Sequence, residues 1–230
     1  MILHYNGRIV NAWSLAVQPQ QRSTLAASPA GSLEVVVRDA AEADMAAVQR
    51  IYAHYVWHGL ATFEEIPPSF HELLARRVAV LAAGLPYLIA ERSGEVLGYS
   101  YATLYHPRSG YRHTIEDSVY VAEGLGGKGI GSALLETLVS RCETGSWRQI
   151  VAHIGNSANV ASIALHRRMG FQLVGTLGAV GLKLGRWVDV VLMQRSLGKG
   201  DRDGILEPQF LRAKAPYSGI CDLSLRAQNP

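Results

Sequence analysis

The chain has 230 residues, 48% apolar and 18% charged, with a formal net charge of +3. That composition supports a sizeable core, and without any long Lys/Arg run it excludes a basic nucleic-acid face. No apolar run approaches the roughly 20 residues that span a bilayer, and the two cysteines, Cys142 and Cys221, lack metal-ligand spacing.

Residues 1–32 show no sustained periodicity, end in a small-residue stretch and lack the apolar centre of a signal peptide. They read as a disordered extension. Residues 199–230 are polar, carry Pro208, Pro216 and Pro230, and read as a mobile tail. The chemistry is expected between residues 33 and 198, in a reduced cytoplasmic protein that binds no metal, nucleic acid or membrane. Residues 33–38 read as a strand. Asp44, Met45, Val48, Ile51, Tyr52 and Tyr55 recur at helical spacing. Ser69 and Glu72 form a capping-box signature for a second helix. A hairpin is expected over 87–91 and 96–105 across Ser93 and Gly94, then a strand over 112–121. Ile130, Leu134, Leu138 and Cys142 mark a helix. A strand over 149–154, a helix over 159–169 and strands over 171–177 and 187–194 complete the pattern. Hairpins followed by a strand–helix–strand unit predict an α/β fold, a mixed and mostly antiparallel sheet flanked by helices.

The stretch VYVAEGLGGKGIG at 119–131 carries the most information. A strand runs into clustered glycines and then a helix, which suits a phosphate-bearing ligand. Glycines admit close backbone approach, and a helix N-terminus offers free N–H groups. A P-loop is excluded because Lys128 is followed by Gly129, not Ser or Thr. Gly124, Gly126 and Gly129 fit the dinucleotide fingerprint, but the next strand ends in His153 and Ile154 without the required carboxylate.

The third reading places Gly129, Ile130 and Gly131 at the end of an R/Q-x-x-G-x-G/A motif. This segment resembles the pyrophosphate loop of the GNAT acetyltransferases, as do NSANVAS at 156–162 and LHRRMGF at 165–171. The usual Arg or Gln falls on Gly126, which removes one side-chain contact that Lys128 or Arg167 would have to replace. A tighter resemblance, to the phosphinothricin N-acetyltransferases, rests on ATFE at 61–64, TIEDSVYV at 114–121, ASIALH at 161–166 and VGLKLGRWVD at 180–189. It implies the GNAT acyl-CoA N-acyltransferase fold, acetyl-CoA as donor, and as acceptor the α-amine of a small amino-acid analogue such as phosphinothricin, methionine sulfoximine or methionine sulfone. It also implies a homodimer. A GNAT enzyme for another amine and a non-catalytic acyl-CoA sensor are the alternatives.

The resemblance assigns cofactor contacts to Val119, Tyr120, Val121, Gly126, Gly127, Lys128, Gly129, Ile130, Gly131, Ser132, Asn156, Asn159, Ser162 and Arg167. Catalysis is assigned to Glu116 and His166. Period two puts Thr114, Glu116 and Ser118 on one strand face and Asp117 on the other. Glu116 is the expected base, directly or through water, and Asp117 a structural partner. His166 stands where many GNAT enzymes carry a Tyr; it acts either as acid for the leaving thiolate or only as a hydrogen-bonding helix residue. An acceptor bearing carboxylate and phosphinate groups calls for Arg and hydroxyl donors. Arg108, Tyr111, Arg112 and Thr114 are the expected binders, with Phe63 and Trp57 as apolar walls. Lys183, Trp187 and Asp189 suit either a dimer contact or a pocket rim.

Overall fold

The computed structural model describes residues 34–202 and, in the N-terminal unit, residues 4–5 and 8–9. In that unit His4–Tyr5 pairs antiparallel with Arg8–Ile9. The rest of the expected N-terminal extension, and the tail beyond residue 202 with Cys221, lie outside the described residues.

The second unit opens with β1 (Val36–Asp39) and α1 (Met45–His58). Helix α1 buries Met45, Val48, Ile51, Tyr52 and Val56, one stripe of a 3.6-residue period. Helix α2 (Phe70–Ala82) starts at Ser69, whose hydroxyl accepts from the Glu72 backbone N–H at 3.2 Å. Only half of the expected capping box forms, because the Glu72 carboxylate turns to Arg76 one helical turn on, at 2.5 Å. The hairpin β2 (Tyr87–Arg92) and β3 (Glu95–Leu104) closes over Ser93 and Gly94 at φ 53° and 82°. Two consecutive positive φ values match the right-handed twist of paired strands.

Strand β4 (Thr114–Val121) is shorter than expected, since a 3-10 turn at Ser109–Tyr111 places Arg112 outside it. Next come α3 (Ile130–Glu143), β5 (Gln149–Gly155), α4 (Val160–Arg168), β6 (Gln172–Lys183) and β7 (Arg186–Ser196). Strand β6 continues well past residue 177. A register shift between Leu177 and Gly181, with Ala179 at φ 49°, absorbs the glycines that read as a strand end.

The seven strands lie in the order β1-β2-β3-β4-β5-β7-β6. Every neighbouring pair is antiparallel except β4 with β5. The two sheet faces are read off β3. The Ser100 hydroxyl donates to the Leu134 carbonyl of α3, whereas Tyr99 and Tyr101 share a cavity with Tyr52 of α1 and Leu73 of α2. Helices α1 and α2 therefore cover one face and α3 the other. Cross-strand pairing then places Glu116 with Thr103 and Ser118 with Tyr101 on the α1–α2 face.

Candidate active site

Strands β4 and β5 pair only at Thr114–Gln149, Ile115–Ile150 and Glu116–Val151. Beyond that point β5 keeps only β7 and β4 keeps only β3 as sheet neighbours, so the strands part. The parting leaves one edge of β4, from Asp117 to Val121, without a ladder. Exposed backbone polar groups in a cleft demand a partner. The cleft is a cavity of about 1030 Å³ whose wall includes Glu116 and Ser118 from one sheet face and Asp117 and His166 from the other. Tyr55 closes one end, donating its hydroxyl to the Val121 carbonyl at 2.6 Å.

The glycine loop forms the far wall. Gly124, Gly127 and Gly129 take φ of 74°, 75° and 83°, a left-handed backbone that other residues adopt only at a cost. Gly129 caps the 14-residue helix α3. Val119, Tyr120, Val121, Gly126, Gly127, Gly129, Gly131, Ser132, Asn159 and Ser162 all reach the cavity, as expected. Four expected contacts do not. Ile130 is a core residue, 3% exposed. Asn156, at φ 70°, shapes the turn before α4, its side-chain oxygen accepting from Ala158 N–H at 3.1 Å. Lys128 and Arg167 lie outside the wall. The helix phase instead brings Arg168 into it, with Nη2 3.5 Å from the Ser132 hydroxyl.

Two carboxylate–imidazole pairs meet here. Glu116 Oε1 lies 2.9 Å from His153 Nδ1, both side chains about one-third exposed. The Glu116 hydrogen bond raises the His153 pKa above its usual 6.5, outweighing the opposing effect of partial burial. On the other face, Asp117 Oδ2 lies 3.0 Å from His166 Nε2, with both side chains buried. His166 Nδ1 donates to the Ser162 carbonyl at 2.8 Å. Burial disfavours the imidazolium, but Asp117 and the Ser162 carbonyl outweigh it and raise the His166 pKa. Asp117 is the structural partner expected, and its Oδ1 has no hydrogen-bond partner.

Phe63 lines the cavity and packs on Gly181, where any side chain would collide with its ring. Its segment is held by Tyr52, whose hydroxyl reaches Glu64 at 2.9 Å, and by Arg76, 2.6 Å from Glu64. Buried Lys183 donates to the Glu64 carbonyl, so it is a clamp under this segment and not a rim residue. The expected basic cluster is elsewhere. Arg108, Tyr111 and Arg112 are exposed and outside the wall. Arg112 donates to Ser109 O at 3.1 Å and Tyr111 packs on Tyr105 and His106. Thr114 shares the Glu116 face but does not reach the cavity, and Trp57 is 54% exposed outside it. Asp189 receives Ser157 N–H at 3.2 Å, bracing the same turn as Asn156.

The model of the GNAT acetyltransferase family matches residues 50–171, over half of the chain. The chain belongs to the GNAT acetyltransferases. It is 56% identical over 166 residues to a phosphinothricin N-acetyltransferase of Alcaligenes faecalis, covering 72% of this chain and 83% of the relative. It is 40% identical to an L-methionine sulfoximine/L-methionine sulfone acetyltransferase of Pseudomonas paraeruginosa, covering 70% of this chain and 94% of the relative. The crystal structure of a phosphinothricin acetyltransferase from Sinorhizobium meliloti in complex with AcCoA superposes with a TM-score of 0.73 at 43% identity, covering 76% and 94% of the two chains.

In this GNAT fold the residues present fit an acyl-CoA. Gly126, Gly127, Gly129 and Gly131 offer a backbone cradle with no Cβ in the way, the β4 edge is unladdered, and Arg168 supplies a cation where Gly126 does not. Sequence reasoning missed His153 and Arg168. Alternation along β5 carried a weak sign of the first, because His153 shares a face with Val151, the register partner of Glu116. Among the described residues no helix is long and apolar enough to cross a membrane, and no His/Cys/Asp/Glu group could hold a metal ion.

Proposed function

We propose that this protein transfers the acetyl group of acetyl-CoA to the α-amine of a small amino-acid analogue of the phosphinothricin or methionine sulfoximine class. One observation carries the reading: a single cleft joins a glycine cradle and an open strand edge to the carboxylate–imidazole pair Glu116–His153. The curated relatives named above support the acceptor class.

Gly126, Gly127, Gly129, Gly131, Ser132 and Arg168 hold the donor's phosphates, and the free edge at residues 119–121 bonds its amide arm as an added strand would. Bound acetyl-CoA supplies an acetyl thioester. Backbone N–H groups of that edge, fixed before the reaction, stabilise negative charge growing on the thioester oxygen. The acceptor ammonium must lose a proton before it can attack, and Glu116 attracts it to the pair that removes that proton. His166 has both ring nitrogens engaged and serves as a positioning residue that locks α4 against β4. Phe63 on Gly181 gives the acceptor an apolar wall. Exposed Leu177, Val180, Leu182 and Trp187 on β6 and β7 suit a homodimer in which a second copy covers them.

The test is release of free coenzyme A from acetyl-CoA with a panel of amines. Phosphinothricin, methionine sulfoximine and methionine sulfone should be acetylated with kcat/KM at least about tenfold above polyamines and peptide N-termini. A panel in which those three are inert and another amine reacts refutes the acceptor class.

A further inference from the structure

The ammonium proton has two conceivable destinations in the cleft, the Glu116 carboxylate and the His153 imidazole, and their arrangement separates the two roles. A carboxylate can only accept, so His153 Nδ1 carries the proton of the 2.9 Å contact. The neutral ring is then the Nδ1–H tautomer, and its lone pair resides on Nε2. The contact to Glu116 is the one polar contact that His153 makes among the described residues, so Nε2 is unengaged. Both side chains line the cleft. Two groups face the ring: Glu116 from β4, and the Tyr105 ring, from the segment after β3, with its centroid 5.9 Å away. Asp117, on the opposite face of β4, acts on it only through its charge. The register partner on β7 is Leu192, which brings no charge.

We infer that His153 is the proton acceptor, its Nε2 taking the ammonium proton, and that Glu116 fixes the ring's tautomer and stabilises the imidazolium that forms. This rests on the acetyltransferase reading above. In the step, one N–H bond of the ammonium breaks. Its electron pair stays on nitrogen as the nucleophile, and the proton forms the new Nε2–H bond. The imidazolium returns the proton to solvent between turnovers. The same division of labour holds in the Ser-His-Asp triad, where a carboxylate orients the histidine and stabilises its imidazolium without taking the proton itself. Basicity favours it, because the hydrogen bond from Glu116 moves the His153 pKa upward from 6.5, towards the roughly 7.7–8.0 of peptide α-amines. Raising is the useful direction, because Glu116 strengthens the base it holds.

The test has two parts on the full chain. In an NMR titration of the imidazole nitrogens, with the His153 signal assigned by its loss in His153→Gln, the ring should titrate above 6.5. In Glu116→Gln its pKa should fall, since a charged hydrogen-bond acceptor is lost. In the pH–rate profile, the native acid limb should coincide with the His153 titration. His153→Gln should lose that limb and about 10²–10⁴-fold in kcat. A His153 pKa unmoved by Glu116→Gln overturns the pairing. A His153→Gln variant with kcat within a few-fold of native and the acid limb intact overturns the assignment and returns the base to Glu116. In either case acetyl transfer by the native protein stands, whereas a native protein that acetylates no amine refutes the functional reading itself. His153 is about one-third exposed, so His153→Gln should fold, and its thermal unfolding checks this.

Discussion

Replacing His166 by Phe should be among the most destabilising single changes near the cleft. His166 is 4% and Asp117 6% exposed, so the pair sits in the wall with little water to replace a lost partner. Asp117 Oδ1 already has no hydrogen bond, and His166→Phe removes the partner of Oδ2 as well. The Ser162 carbonyl loses its side-chain donor in the same stroke. Stranding one half of a buried ion pair costs about 3–5 kcal/mol, and the ring edge against Phe171, at a centroid distance of 5.0 Å, is retained by the new phenyl. The loss is therefore chiefly electrostatic. Asp117→Asn is the contrasting change. Its amide N–H can donate to His166 Nε2 while Nδ1–H still donates to Ser162, so only the charge is lost, about 1–2 kcal/mol by comparison with charged and neutral hydrogen bonds. The sign with pH follows from the raised His166 pKa. The native pair's charge contribution is fully present below the unfolded value of about 6.5 and is lost as pH rises through the folded pKa. Asp117→Asn should thus cost more at pH 6 than at pH 9. Urea unfolding at both pH values, followed by fluorescence and read as midpoint and slope, measures each difference. A His166→Phe variant within about 1 kcal/mol of native at pH 6, or an Asp117→Asn cost that grows towards pH 9, would refute the buried charged pair.

Two further outcomes follow from the cleft and the sheet edge. Arg168→Ala should weaken coenzyme A binding about ten- to a hundred-fold, the loss of one charge-assisted contact, while Arg167→Ala should change it little; isothermal titration with coenzyme A compares them, and equal effects would deny Arg168 its place. Trp187→Asp, at a residue 70% exposed on the apolar β6–β7 surface, should convert a dimer to a monomer in sedimentation velocity, and a native protein that sediments as a monomer at micromolar concentration sinks the homodimer.

Elements whose cause is local were legible in the sequence. Ser69 capping α2, the Ser93–Gly94 turn and the glycines opening α3 each act on backbone within a few residues, so propensity and sterics suffice. Period two alone placed Glu116 and Asp117 on opposite faces of β4, and the structure keeps them there. The basic cluster before that strand looked like an anion site by composition, but the 3-10 turn at Ser109–Tyr111 leaves Arg112 on the surface. Tertiary structure decided what depends on docking. One residue along a helix is about 100° of rotation, so the setting of α4 against α3 chose Arg168 over Arg167 for the cleft. The pairing of β4 with β5 stops at Glu116 and Val151, and that stopping point brings His153 beside Glu116 while burying His166 against Asp117. No local preference encodes where two distant strands part, because their separation is set by the helices and strands packed on either side.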